Sequence, residues 1–594
     1  MDEDLLKKYW SIVKTELEEF KPGPNEDCNY YPCHFKGQDC AYCYCPFYPC
    51  MDERLGKMVH KENSDEEVWS CQDCFWTHRS DVAKLISENF PFSEEPPSDE
   101  FRSEIKKKIE EKCSVSAKPL MILGATSGAG KSIIASAFCR IFSDMGYNVA
   151  PFKSQNMSLN SMAIADGEIA RAQYLQAVAA RTEPEVSMNP ILLKPQGDDI
   201  SQVVVNGSVY RNMTVTEYYE DFTLNEGVEI VTNAWEYLRR TKDIVVIEGA
   251  GSPAEINLSE CELSNMKAAE IAHAPCILVI NMIRGGAFAY AYGTIALLSS
   301  ERRKYIKGII FNNMCGSADC LEPGIKKLES MLGIPVLGVL PHIEHALPEE
   351  DSQDLKSSKD GSEVAIVHLP RISNFTDFDA LSLSGVSVKF VRQPDELYSA
   401  RAIVIPGTKN TFADMAWMKE NGFFEVLKEL RGKVPILGIC GGYQILGKGI
   451  YDTEGIEGDV KVAEGLGFLN VSTVFDTTDK KTVQVCGRLE NGEEVRGYEI
   501  HMGKTESHEK PLITLDDGNP EGAISSDGMV IGTYLHGIFD LPPFRDYFLE
   551  KSSISNHEEI DYDAEVDKDL DLMAETLRSN IDMKVIMKIL EDGI

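Results

Sequence analysis

No uninterrupted apolar run in this 594-residue sequence approaches the ~18 residues that a membrane-spanning helix needs. The opening stretch, MDEDLLKKYW, is acidic and lacks the apolar core of a secretory signal, so the expectation is a soluble, cytoplasmic chain. Positive charge is also scarce, with 59 Lys and Arg against 95 Asp and Glu and a net charge of −36. So acidic a surface repels phosphate backbones and anionic lipid, which argues against nucleic acid and membrane as general partners. A local basic pocket remains compatible with it. There is no internal repeat and no low-complexity tract.

Cysteine is thin over most of the chain and dense at its start. Of 16 cysteines, Cys28, Cys33, Cys40, Cys43, Cys45, Cys50, Cys71 and Cys74 all precede residue 75. In a reducing compartment such a cluster points to metal rather than to disulfides. Cys40-x2-Cys43 and Cys71-x2-Cys74 have the knuckle spacing that brings two thiolates to one tetrahedral ion, with the other cysteines, His34 and His78 available to complete one or two sites. Zinc and an iron–sulfur cluster use the same ligands, and a reduced, metal-free cysteine core is the third reading.

The length suits about three to five domains. Proline and acid in PFSEEPPSDE predict a linker near 91–100, and LPEEDSQDLKSSKDGSEV predicts another near 347–364. Between and after them, short apolar runs (MILGA, DIVVIEGAG, CILVINM, KGIIFNN, then EVAIVHL, AIVIPG, VPILGI) alternate with helix-like segments. That pattern predicts two mostly parallel α/β sheets whose strand ends bind ligands. The resulting division is 1–95, 116–350, 363–553 and a helical tail at 554–594, the tail carrying Leu570, Leu572, Met573 and Leu577 on one side.

The second region opens with KPLMILGATSGAGKS. An apolar strand enters a glycine-rich turn (Gly124, Thr126, Gly128, Gly130), and Lys131-Ser132 begin a helix. Backbone N–H groups there can cradle phosphate, with Lys131 on the terminal phosphates and Ser132 near Mg²⁺. The strict P-loop spacing needs glycine where Ala125 stands; the longer loop resembles the dethiobiotin-synthetase type of ATP site, which activates a carboxylate as an acyl phosphate. Glu248 ends the strand of VVIEGAGSPAEINL and can hold the metal that bridges ATP phosphates, or be a plain solvated cap. Lys153, in PFKSQNMSLNS, can neutralise phosphate charge or be a surface lysine.

In the third region VPILGICGGYQILG sets Cys440 between glycines at the end of a buried-strand pattern. This is the G-x-nucleophile-x-G pattern of a strained strand-to-helix elbow, in which the next backbone N–H serves an oxyanion and the helix end favours the thiolate. An ordinary glycine-marked turn is the alternative.

The segments PFKSQNMSLNS, GEIARAQYLQAVAA, MNPILLKP, VIEGAGSPAEINL, RGGAFAYAYGTIALLSSERR, LPRISNFTDFDAL, IPGTKNT, GICGGYQILG, GYEIHMG and GTYLHGIFD occur in the order found in the cobyric acid synthase family. The resemblance covers roughly residues 118–590. It implies a dethiobiotin-synthetase-like synthetase region that binds ATP and Mg²⁺, and a class I glutamine-amidotransferase-like, flavodoxin-like region. The cysteine-rich start is foreign to the ordinary enzyme of that family and resembles a small cysteine-rich domain found beside archaeal cobalamin-pathway proteins. The implied reaction is amidation of the b, d, e and g carboxylates of adenosylcobyrinic acid a,c-diamide in cobalamin biosynthesis, with glutamine as nitrogen donor. His536 in GTYLHGIFD matches the family's catalytic base for Cys440, and N–H groups near Gly407 and Gly441 would hold the oxyanion. His501 is a structural or glutamine-site candidate. The glutamate that many amidotransferases carry two residues past the histidine is Ile538 here, which leaves open what orients the imidazole. Arg171, Lys194 and Arg284 are candidates for the walls that receive a polycarboxylate. The chain departs from the family where DIDRGG becomes NMIRGG, at Asn281 and Ile283, and where NRFRGD becomes NNMCGS, which keeps only Asn312. Two other readings are an amidase that forms a,c-diamides on another tetrapyrrole, and a metal-binding regulator on an inactive amidase body.

Overall fold

The computed structural model describes residues 3–594 except 36, 61–66, 73, 92, 198, 259, 284, 346, 348–362, 458–459 and 477–479. Two six-stranded sheets form its frame. The first is wholly parallel and runs Val336–Pro341, Ile306–Met314, Cys276–Asn281, Lys118–Gly124, Ile244–Glu248, Val149–Phe152. Leu120 and Ile122 face one core and Met121 and Leu123 the other. Burial on both faces is why this strand reads as a continuous apolar run. The second sheet runs Val388–Val391, Val364–Val367, Ala402–Ile405, Ile436–Ile439, Val530–Thr533, Ala523–Ile524, with only the last pair antiparallel.

Three further four-stranded sheets carry antiparallel pairs that apolar periodicity did not signal. In the hairpin of Lys481–Leu489 with Glu494–His501, the first strand is mostly solvent-facing, so it offers no apolar run. This hairpin ties the two regions together. Gln484 Nε2 donates to Ala163 O at 3.1 Å, and Tyr498 and Ile500 bury Ala163.

The expected linker near 91–100 is shorter than read. Ser98 caps a helix, Asp99–Glu110, by accepting from Phe101 N, and acids fill its first turn. Those are helix-start signals at the end of a proline-rich run. The helix returns to the cysteine-rich region through Lys106–Asp52 at 2.6 Å and buries Ile109 among Trp10, Phe47 and Trp76. The second expected break, near 347–364, lies almost wholly outside the described residues.

Arg79 clamps the N-terminal region to the first sheet. Its guanidinium, 3% exposed, pairs with Asp243 at 2.9 Å and Asp81 at 2.6 Å, and Asp243 also accepts from Ser114 N and Asn148 N. An Arg79→Met variant leaves Asp243 buried without its cation, a loss of about 3–5 kcal/mol. A melting scan should therefore show a clear drop in transition temperature.

The tail forms helices Tyr562–Asn580 and Met583–Asp592. The first lies on Lys131–Asp144, the helix that begins at the glycine-rich turn; Arg140, fully buried, reaches Asp571 at 3.0 Å and also pairs with Asp567. Leu570, Met573 and Leu577 are buried, but Leu572 is 43% exposed. Residues two apart on a helix do not share a face, which corrects the expected apolar side. No helix among the described residues is long and apolar enough to cross a membrane.

Candidate active sites

Cys440 follows strand Ile436–Ile439 and precedes the short helix Gly441–Leu446, with φ 51° and ψ −109°. A non-glycine residue held in such a conformation carries strain that the surroundings must fix. The flanking glycines make it tolerable. A Cβ on Gly442 would lie 1.9 Å from Ile405 O, and one on Gly438 would lie 2.6 Å from Gly442 O. The helix after the elbow is only six residues long, because Gly447 and a new strand, Gly449–Asp452, end the run that reads as a longer helix. Cys440 is 7% exposed and lines a pocket with Lys409, Gln444, Glu457, His501 and Lys194.

His536 sits close enough to that sulfur to interact with it, and the Sγ itself meets Ile500 O at 3.7 Å. Its Nδ1 meets Asp377 Oδ2 at 2.7 Å, and Gly537 N donates to the other carboxylate oxygen at 2.9 Å. His536 and Asp377 are 1% and 2% exposed. Burial alone would lower the His536 pKa, but Asp377 and Cys440 outweigh it and push it up to about 10. Asp377 is the orienting group that the sequence left open.

Gly407 lies against the histidine: a Cβ there would be 2.9 Å from His536 Cε1. The Ile372–Thr408 bridge is closed by Lys409 N→Arg371 O and Ser373 N→Gly407 O, so the Thr408 N–H points the other way. A Cβ on Gly441 would be 3.2 Å from Thr408 N. The donors nearest the elbow thus come from Gly441 and Thr408. His501 Nε2 is held by Glu499 at 2.9 Å, and its ring stacks on Tyr534 at 3.8 Å.

The second site lies at the strand ends of the first sheet. Gly128 and Gly130 adopt φ 66° and 90°, turning the loop into helix Lys131–Asp144. Lys131 Nζ donates to Thr126 O at 3.3 Å and Gly251 O at 3.2 Å, curling over the loop. A Cβ on Gly124 would be 2.8 Å from the Lys131 side chain, so only glycine fits beneath it. Glu248 is fully buried and accepts from Ser132 Oγ at 2.8 Å, Lys153 Nζ at 2.9 Å and Gln176 Nε2. It is no solvated cap, and Lys153 is no surface lysine. Asn312 Nδ2 donates to Ala129 O at 3.1 Å, on the rim of the same loop.

Residues 120–354 match the CobQ/CobB/MinD/ParA nucleotide binding domain, residues 363–544 the CobB/CobQ-like glutamine amidotransferase domain, and residues 19–95 the cysteine-rich small domain. The cobyric acid synthase of Dehalococcoides mccartyi is 45% identical over 506 residues, 80% of this chain and 99% of that protein. A probable cobyric acid synthase of Methanosarcina mazei is 46% identical over 492 residues, 80% and 99% of the two chains. The chain belongs to the cobyric acid synthase family. It is an ATP-dependent ligase that uses glutamine.

Against that family pattern, Asn281 has its own local use. Its Nδ2 donates to Gly128 O at 2.8 Å, bracing the phosphate loop. A carboxylate has no proton to offer there, so the amide changes how the loop is held. Ile283 is 56% exposed. In NNMCGS, Asn312 remains at the loop while Ser317 caps the next turn.

The proposed corrinoid walls need correction. Lys194 is buried against Glu168 and Ser161, and Lys480 pairs with the same Glu168. Arg171 is 9% exposed, over the Tyr174 ring at 5.5 Å with Met162 Sδ at 3.2 Å. Arg171 is packed between the synthetase and amidotransferase regions, Lys194 lines the Cys440 pocket with its ammonium taken up by Glu168, and Arg284 lies outside the described residues.

The cysteine-rich core holds its thiols unpaired by disulfides. Cys43, Cys45, Cys50, Cys71 and Cys74 line one cavity of about 250 Å³ together with His34 and His78. Cys28, Cys33 and Cys40 are neighbours of Cys43, and Gln38 Nε2 reaches Cys33 Sγ at 3.0 Å. His78 Nδ1 lies 3.1 Å from Asp39 O. Among the described residues no three His, Cys, Asp or Glu side chains are gathered tightly enough to hold an ion.

Proposed function

We propose that this chain amidates the b, d, e and g carboxylates of adenosylcobyrinic acid a,c-diamide, using ATP to activate each acid and glutamine to supply nitrogen. The Cys440–His536–Asp377 constellation is the observation that carries the glutamine half-reaction. The imidazole beside the sulfur can hold the proton that Cys440 gives up as it attacks. Cys440 attacks the glutamine carboxamide carbon, and the negative oxygen that forms lies toward the N–H groups of Gly441 and Thr408, with Gly407 packed on the histidine. His536 gives its proton to the departing nitrogen, releasing ammonia and leaving a thioester on Cys440. The now neutral imidazole takes a proton from water, whose hydroxide cleaves the thioester to glutamate and restores the thiolate.

In the synthetase half, Gly124, Thr126, Gly128 and Gly130 shape the loop for the nucleotide phosphates, and Lys131 and Lys153 supply positive charge. The paired oxygens of Ser132 and Glu248 fit a hard cation, so they are the residues that would hold Mg²⁺, which neutralises phosphate charge when bound. Asn312 fixes the loop's far rim. The substrate carboxylate takes the terminal phosphoryl of ATP, ammonia displaces phosphate from the acyl carbon, and the amide remains. The labour divides along 1–95, 116–350, 363–553 and 554–594, with helix Asp99–Glu110 serving the first body.

For the cysteine-rich region the thiol chemistry suits zinc or an iron–sulfur cluster, and Cys28, Cys33, Cys40, Cys43 and Cys45, Cys50, Cys71, Cys74 are the two groups that would have to draw closer together to hold it. Elemental analysis of the purified full chain tests this directly; a metal-free, fully folded protein refutes it. The reaction itself is tested by incubation with the corrinoid acid, ATP and glutamine, followed by mass spectrometry for successive conversions of carboxyl to carboxamide. An unchanged corrinoid mass overturns the assignment.

Asp377→Asn should lower the glutamine-supported kcat by about 10²–10⁴-fold, since the amide no longer fixes the imidazole or stabilises its charge. Ammonia-supported amidation should be unaffected. The pH sign follows from the raised His536 pKa. Its folded-state charge contributes stability fully below the unfolded value of about 6.5 and loses it as pH rises through about 10. The difference in melting temperature between wild type and variant should therefore be largest at the acid end of that window and shrink toward pH 10.

A further inference from the structure

The turn that carries Asp377 belongs to the amidotransferase region, yet it is held from the synthetase region. It begins at Asn374, whose φ of 49° and ψ of 43° are left-handed, and Asp377 N closes it on Asn374 O at 3.0 Å. A non-glycine residue in that conformation persists where its surroundings fix it. Here segment 159–161 does so. Asn374 N donates to Leu159 O at 3.2 Å, Ser161 N donates to Asn374 Oδ1 at 2.9 Å, and Thr376 Oγ1 donates to Asn160 Oδ1 at 3.0 Å. Asn160, Asn374, Thr376 and Asp377 are each 3% exposed or less. At that depth bulk water does not replace a lost partner, so each of these bonds is costly to remove.

Asn160 is a firm anchor for the turn. Its N–H donates to Ser158 Oγ at 3.0 Å, and its carbonyl accepts at 3.0 Å from Arg171 N, the first N–H of helix Arg171–Ala179. Its Nδ2 meets no partner among the described residues, so the bond from Thr376 is what orients the side chain. The residue after Thr376 is Asp377, which meets His536. We propose that Asn160 and Thr376 are positioning residues for glutamine hydrolysis: their contact, made across the two regions, sets the reach of Asp377 to His536. Neither side chain touches the reacting atoms. The assignment rests on the amidotransferase reading of Cys440. A released Thr376 displaces the orienting carboxylate and leaves the sulfur and its pocket in place, so the loss belongs in kcat rather than in KM.

The experiment compares the full-length wild type with Thr376→Val, Thr376→Ser, Asn160→Ala and the double variant Asn160→Ala, Thr376→Val, following glutamate release from glutamine beside amidation supported by ammonium chloride. Thr376→Val keeps the shape of the side chain without its hydroxyl and should lower kcat for glutamine by about 10- to 100-fold, the scale of a small misplacement of a catalytic group, with KM nearly unchanged. Thr376→Ser restores the donor and should recover most of that kcat. Asn160→Ala should match Thr376→Val, and the double variant should lose no more than either, because both remove the same contact. Ammonia-supported amidation should stay at the wild-type rate throughout, which also shows that the variants are folded. Wild-type kcat in both single variants would overturn the proposal. So would equal losses in Thr376→Val and Thr376→Ser, additive losses in the double variant, or a parallel loss with ammonia, each of which would make the contact merely structural. A wild type without Cys440-dependent glutamine hydrolysis would instead remove the amidotransferase reading, and this assignment with it.

Discussion

Cys440→Ala should abolish amidation supported by glutamine, by about 10⁴-fold or more, while amidation supported by ammonium chloride at alkaline pH continues at the wild-type rate. Alanine keeps a Cβ at the strained φ of 51°, so the backbone of the elbow stays where it is. What disappears is the sulfur, and with it the only covalent route to ammonia that the site offers. The nucleotide loop and Glu248 belong to another sheet, so the synthetase half keeps its donors. The decisive measurement is the ratio of the two nitrogen sources in one preparation. Loss of both activities in a folded variant would contradict two separable sites, and retained glutamine use would remove Cys440 from the chemistry. The Asp377→Asn variant should fall between wild type and Cys440→Ala on the same ratio, because it leaves the nucleophile but frees the imidazole.

Legibility followed the physics of local sequence. The strands of the two large sheets were readable because both faces are buried, which writes an apolar run into the chain. Gly124, Gly128, Gly130 and Lys131 were readable because a phosphate loop is one short segment whose backbone must turn sharply. Cys440 was readable for the same reason: Gly438 and Gly442 are required where carbonyls approach within a side chain's reach. Asp377 was not readable. It lies 159 residues before His536, in the short helical turn Phe375–Phe378, and only the fold of the second sheet brings that turn against the end of strand Val530–Thr533. Lys194 was misread because its partner Glu168 sits on a separate short hairpin, 26 residues away in the chain, and because Lys480 arrives from the other region. The helix Asp99–Glu110 was hidden by the prolines before it, although Ser98, Asp99 and Glu100 carry a legible cap.

The complementary lesion is Glu248→Gln, which should stop amidation from glutamine and from ammonia alike, by about 10³-fold or more, and leave glutamine hydrolysis at Cys440 intact. Glu248 receives donors from Ser132, Lys153, Gln176 and, at 3.4 Å, Gln173. A carboxylate accepts from all of them; an amide must turn one hydrogen-bearing nitrogen toward a donor. Lys153, itself buried, then loses the counter-charge that it meets at 2.9 Å, a loss of about 3–5 kcal/mol that a melting scan should register. Stability and chemistry can be separated with the double variant Lys153→Met, Glu248→Gln. Removing both charges together restores the charge balance of the buried pair, so much of the melting temperature should return. Activity should not, because neither the carboxylate beside Ser132 nor the ammonium facing the phosphates is restored. Recovery of amidation alongside stability would mean that Glu248 acts only through packing, and the nucleotide site would have to be placed elsewhere.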